Sequence, residues 1–182
     1  MQYSFFQKLS LFSCIVCISV SASAQYNLDT LKFDIVKDWQ RAKAYTTEYL
    51  NTMPADKYSF RATDSVRSFA QQMLHLAQAN TFFISNGTGV QKALSSGNLE
   101  QRASAQTKDS VVYYVNASYD HAIDAIQKMD AAKLGEKVKF RDFEFSRLTW
   151  INKAFEHQTH HRGQTTIYIR LAGVRPPNER LF

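Results

Sequence analysis

Cysteine occurs only at Cys14 and Cys17, both inside an apolar stretch near the amino-terminal end. Beyond that stretch there is no thiol, which excludes disulfide staples, thiolate nucleophiles and cysteine-based zinc sites. Glycine (6) and proline (3) are scarce, and that argues against collagen-like, low-complexity and disordered chains. The longest apolar-rich run, Leu9 to Val20, falls well short of the ~20 residues that span a bilayer. A basic stripe is also missing, and so is an aromatic RNA-binding signature. The formal net charge of +6 therefore does not indicate nucleic-acid binding.

What is present first is a leader pattern. Lys8, the apolar run after it and the small-x-small triplet Ala22-Ser23-Ala24 are the parts of a secretory signal over residues 1–24. The expectation is an exported chain, periplasmic or secreted, that starts near Gln25 and carries neither cysteine. Residues 25–182 show no internal repeat and no dividing linker, and their length suits a single domain.

Apolar residues recurring at steps of three and four predict four helices in that domain. The first runs from about Leu31 to Met53, where Pro54 follows. The second opens at Thr63 or Asp64, either one a suitable cap, and runs to about Ser85 on a stripe of Val66, Ala70, Met73, Ala77, Asn80 and Ile84. The third covers about Thr107 to Met129. The fourth covers about Ser146 to Ala172 and is closed by Gly173 and Pro176-Pro177. Four amphipathic helices of this length predict an all-α four-helix bundle. Between them, the Gly- and Ser-rich segment Asn86 to Gln106 reads as a mobile connection. Lys137 to Phe145 alternates around Val138, Phe140, Phe143 and Phe145 and reads as a short hairpin or extended flap.

Histidine is the informative residue type, because three of the five fall within His157-Gln158-Thr159-His160-His161-Arg162-Gly163-Gln164. Residues four apart lie one helical turn above each other, so His157 and His161 can share one metal ion; His157 with His160 is a second geometry. Stepping from Trp150 by four and three gives Ala154, His157, His161, Gln164, Tyr168 and Leu171, which puts the first pair on the interior line. Two adjacent buried imidazoles lose water and repel if both are charged, and a divalent cation removes both objections. The competing reading is a pair of half-buried histidines bonded to neighbouring backbone or hydroxyl groups. A metal site needs a third ligand.

The stretch from Trp150 through His157-Gln158-Thr159-His160-His161-Arg162-Gly163-Gln164 to Gly173-Val174-Arg175-Pro176-Pro177 resembles the carboxy-terminal helix of the DinB-like (DinB/YfiT) family of four-helix metalloproteins. Ser68-Phe69-Ala70-Gln71-Gln72-Met73-Leu74-His75-Leu76-Ala77 is similar to that family's second helix, where one histidine completes the ligand set. The resemblance covers most of residues 30 to 177. It implies a three-histidine site of His75, His157 and His161, holding zinc or nickel with water in a fourth position. Periodicity by itself points elsewhere, since His75 lies ~200° around the helix from Met73 and counts as a surface residue.

From that site chemistry the first expectation is a metal-dependent hydrolase of a small substrate, with Gln164 and Tyr168 orienting the substrate beyond His161. The wider superfamily implies a second reading, a metal-dependent thiol S-transferase. A third is a non-catalytic bundle that binds metal or a partner, with the apolar stripe of the second helix serving as a homodimer face. Among the remaining polar residues, His121, His160 and Arg162 are expected at the solvated surface. Asp120 and Asp124 are expected there too, and Glu156 in an exposed ion pair. Gly163, costly in mid-helix by ~1 kcal/mol, predicts close helix packing at that point.

Overall fold

The computed structural model describes residues 27–94 and 97–182; the expected leader and both cysteines lie outside them. Asn27 caps α1 (Leu28–Thr52) by accepting from the Asp29 amide at 2.9 Å, and the helix stops at Met53, before Pro54. Ser68 caps α2 (Phe69–Thr88) in a reciprocal box with Gln71. Thr107 caps α3 (Lys108–Lys128) and Ser146 caps α4 (Arg147–Leu171). Each cap satisfies an amide that the helix itself leaves without a partner. Ahead of α4, β1 (Lys137–Phe140) and β2 (Phe143–Ser146) form the expected hairpin, antiparallel with Phe140 opposite Phe143.

Helix α2 departs from the predicted bounds at both ends. It begins at Phe69 rather than Thr63 or Asp64, because the loop supplies partners for its first turn: the amide of Phe69 bonds Phe60 O and that of Ala70 bonds Tyr58 O. Tyr58 is itself anchored, its hydroxyl donating to Leu50 O at 2.8 Å. At the other end the helix continues through Asn86 and Gly87 to Thr88. A Cβ on Gly87 would lie 2.9 Å from Trp150 Cβ, so this glycine lets α4 approach, and Gly89 at φ 80° ends the helix. Gly163, the glycine expected to mark close packing, faces outward, and a methyl group added there would meet nothing within 4 Å.

Helix directions follow from side-chain contacts. Lys32 reaches Met129 O while Lys108 reaches Met53 O, so α1 and α3 are antiparallel. Gln72 meets Gln164 and Gly87 meets Trp150, so α2 and α4 are antiparallel too. Trp39 packs on Phe155 and Tyr49 bonds Thr166, making α1 and α4 parallel. Asn80 meets Ser118 and Ser85 meets His121, making α2 and α3 parallel. Two parallel neighbours need a connection that returns along the bundle, and the segment between α2 and α3 is that connection. Its composition predicts mobility, yet from Gly97 onward it is bonded down: Gln78 accepts from the Leu99 amide and donates to Gly97 O, Gln71 donates to Glu100 O, and Leu99 is fully buried.

The core is the shared interior of the four helices, with Trp39, Leu50, Phe69, Met73, Ile84, Tyr119 and Ile126 among its buried members. The α2 stripe expected to face a second subunit is consumed here, since Ala70, Met73, Ala77, Asn80 and Ile84 are all inaccessible within the single chain. The inner line of α4 is Trp150, Ala154, Gln158, His161, Arg162, Thr165, Tyr168 and Ile169. The predicted line stepped at 3.5 residues per turn and drifts ~20° per heptad from a straight helix, so by its far end Gln164 and Leu171 face solvent. Arg162, expected outside, is buried. It donates to Gln158 Oε1 at 2.9 Å and lies 4.7 Å from the centre of the Tyr45 ring, and Tyr119 donates to the same Gln158 oxygen at 2.7 Å. Among the described residues no helix is long and apolar enough to cross a membrane.

Candidate metal centre

His75 projects from α2 toward α4, where His157 and His161 stand one turn apart. One ligand atom from each of the three lies within 4.8 Å of the others. Ring centroids are 4.3 Å apart for His157 and His161, 4.6 Å for His75 and His161, and 5.2 Å for His75 and His157. His160 stays out of the group; it is exposed, with its ring edge on to His161. The alternative pairing of His157 with His160 is therefore not the one the fold assembles.

The hydrogen bonds on the rings fix which nitrogens converge. His75 Nδ1 meets Glu100 Oε1 at 2.7 Å, and His161 Nδ1 lies 2.9 Å from the Gln72 carboxamide nitrogen. That leaves the Nε2 atoms to face inward, and those of His157 and His161 are 3.1 Å apart. Two nitrogens bound to one ion at 2.0–2.1 Å and near the tetrahedral angle would be about 3.3 Å apart, so the pair is close to ligating separation. Burial, followed by the neighbouring His75 and His160 imidazoles, pushes His157 down to about 4; burial, followed by His157 and His75, pushes His161 down to about 3. His157 and His161 are therefore neutral at physiological pH, as metal ligation requires. His157 Nδ1 is buried without a partner.

Glu100 is the site residue that sequence reasoning missed. It belongs to a single helical turn, Leu99–Gln101, in the returning connection, and its other oxygen pairs with Arg67 Nε at 2.5 Å. Neither periodicity nor a motif marks it; only Asn98, which caps the turn by accepting from the Glu100 amide, is a local signal that the segment is ordered. Carboxylate, histidine and metal in line is the arrangement that fixes a ligand's tautomer and raises its basicity.

Two clefts flank the histidines. On the hairpin side, a cavity of about 580 Å³ is walled by Phe82, Phe83, Phe140, Phe143, Phe145 and Trp150 and reaches His157. On the other side, a polar cavity of about 830 Å³ reaches His161 and includes Arg61, Arg67, Glu100, Gln164 and Tyr168. Gln164 accepts from the Gln72 carboxamide beside His161, and the Tyr168 hydroxyl donates to Arg67 O at 2.8 Å.

Other polar residues sort as follows. His121, expected in solvent, is half-buried with Nε2 3.1 Å from Ser85 Oγ, and burial lowers its pKa. Glu156 pairs with Lys153, Asp120 with Lys43 and Asp124 with Lys128, all at the surface as expected.

Comparison with known proteins agrees with this architecture. Two crystal structures of DinB-like proteins superpose on the chain. The one from Bacillus cereus has a TM-score of 0.69 at 17% identity, covering 80% of this chain and 95% of the other. The one from Bacillus subtilis has a TM-score of 0.63 at 14% identity, covering 82% and 96%. No curated protein matches by sequence. The family model described as DinB matches residues 25–180, nearly all of the chain after the leader pattern, and the chain belongs to the DinB family.

Proposed function

We propose that the protein is a metal-dependent hydrolase of a small substrate. The observation that carries this reading is the convergence of three imidazoles, from two helices, at a point open to clefts on both sides. Zinc or nickel held by His75, His157 and His161 would keep its full double charge there and supply Lewis acidity and an acidified water.

The chain's own residues set up the rest. Glu100 holds the His75 ring with Nδ1 engaged, and Arg67 balances the Glu100 charge. Gln72 bridges His161 and Gln164, so the exposed Gln164 carboxamide is steered to the mouth of the polar cleft, where it orients the polar part of a substrate. The Tyr168 hydroxyl is engaged with backbone, and its ring forms the cleft wall. Export through residues 1–24 is part of the same proposal and is tested by the mass of the chain recovered outside the cytoplasm.

The experiment is metal analysis of the purified chain followed by a panel of small acyl esters and amides, run on the wild type and on His161→Ala. Hydrolysis that tracks metal content supports the reading. A fully loaded chain inactive on the whole panel removes the hydrolase, and a chain that takes up neither zinc nor nickel removes the metal site.

A further inference from the structure

The aromatic cleft beside His157 is built in an unusual way at its rim. The hairpin turns through Arg141 and Asp142, and Arg141 sits at φ 54°, the only non-glycine with positive φ among the described residues. Glycine is the ordinary choice for the first position of a two-residue hairpin turn with positive φ there. An arginine costs on the order of 1 kcal/mol in that conformation. Its side chain lines the cleft, with the guanidinium 5.4 Å from the centre of the Phe140 ring, and it has no carboxylate partner among the described residues. The other cation on the cleft wall, Lys153, is already paired with Glu156.

The walls are as distinctive as the rim. Phe143 and Phe145 stack on one another at 6.1 Å and remain 56% and 43% exposed, an arrangement that leaves large apolar surface in water. Trp150 is itself almost completely buried behind them and forms the cleft floor. Exposed aromatic surface converging on one hollow marks a ligand site.

We propose that this cleft recognises a small anionic amphiphile: its flat apolar group lies among Phe83, Phe143 and Trp150, and its carboxylate or similar anion meets the Arg141 guanidinium. Placing the ligand's reacting bond near His157 rests on the metal-site reading; the recognition itself does not.

The test titrates the purified full chain with 2-naphthoate, with its uncharged amide and with acetate, following tryptophan fluorescence and heat. Binding in the order naphthoate, naphthamide, acetate is expected. Arg141→Gly, which frees the turn from its strained conformation, should weaken naphthoate about fivefold, the size of one exposed ion pair, and leave the amide unchanged. Phe143→Ser should weaken both aromatic probes. Naphthoate binding no tighter than acetate overturns the proposal, as does an Arg141→Gly variant that binds naphthoate like the wild type. A second copy of the chain that fills the cleft and excludes both probes overturns it as well. A chain that binds 2-naphthoate but never takes up metal fails the metal reading alone, and a metal-loaded chain that ignores the aromatic probes fails this one alone.

Discussion

Glu100 and His75 are 25 residues apart in the chain and 2.7 Å apart in the fold, carboxylate oxygen to Nδ1. The bond needs two things at once: a helix face that turns His75 away from the main apolar stripe, and a returning connection pinned closely enough to deliver a carboxylate to it.

Removing that carboxylate should therefore act on the metal rather than on the fold. Glu100→Ala is expected to lower metal affinity by about 10–100-fold, the usual cost of losing a partner behind a ligating histidine. Glu100→Gln, which keeps an acceptor oxygen, should lose less. Competition against a chelating dye gives the affinities, and equal affinity in all three proteins would show that Glu100 is only a surface partner of Arg67.

Each of His75→Ala, His157→Ala and His161→Ala should strip most of the metal, while His160→Ala should retain it, because His160 stays outside the converging group. Elemental analysis of the four variants decides this. Metal loss in His160→Ala with retention in His161→Ala would mean that another turn of α4 faces the ion.

The pH dependence has a definite sign. In the metal-free protein His157 and His161 titrate near 4 and 3, against 6.5 for a free imidazole. Between those limits the unfolded chain binds more protons than the folded one, so stability rises with pH across that window and is lost as pH falls below about 6.5. Urea unfolding of the chelator-treated protein at pH 7.5 and pH 5 should show the drop. In a chain with both histidines replaced by Ala the drop should be smaller, with His121, also lowered by burial, accounting for part of the remainder.

Gly87 and Gly163 should respond oppositely to alanine. At Gly87 a methyl group meets Trp150 Cβ at 2.9 Å and Arg147 O at 3.3 Å, and such overpacking costs typically about 1–3 kcal/mol. At Gly163 nothing lies within 4 Å, and the helix gains up to about 1 kcal/mol. Denaturation midpoints measure both, and a stabilised Gly87→Ala would mean that α2 and α4 are not locked at that contact.

Much of the fold was legible because a helix writes its buried face into the sequence every three to four residues, and because caps are local. Thr107 and Ser146 mark their helices directly, and Val138, Phe140, Phe143 and Phe145 announce the hairpin. The start of α2 was not legible, since its first amides are satisfied by Tyr58 and Phe60 carbonyls from a loop. Arg162 reads as a surface residue because the groups that match its charge, Thr46 and Tyr45 of α1 and a Gln158 oxygen shared with Tyr119 of α3, are gathered around it only by the packed helices.

The site divides along the same line. The residue order of α4 alone puts His157 and His161 on adjacent turns, because the rise and pitch of a helix are fixed by its backbone. Its likeness to a known family supplied His75, against the periodicity of α2. Only the packed molecule decided that His75 faces inward, that Glu100 stands behind it, and that one cleft is aromatic and the other charged. Those relations join segments far apart in the chain, and no local rule of spacing specifies which distant surfaces will meet.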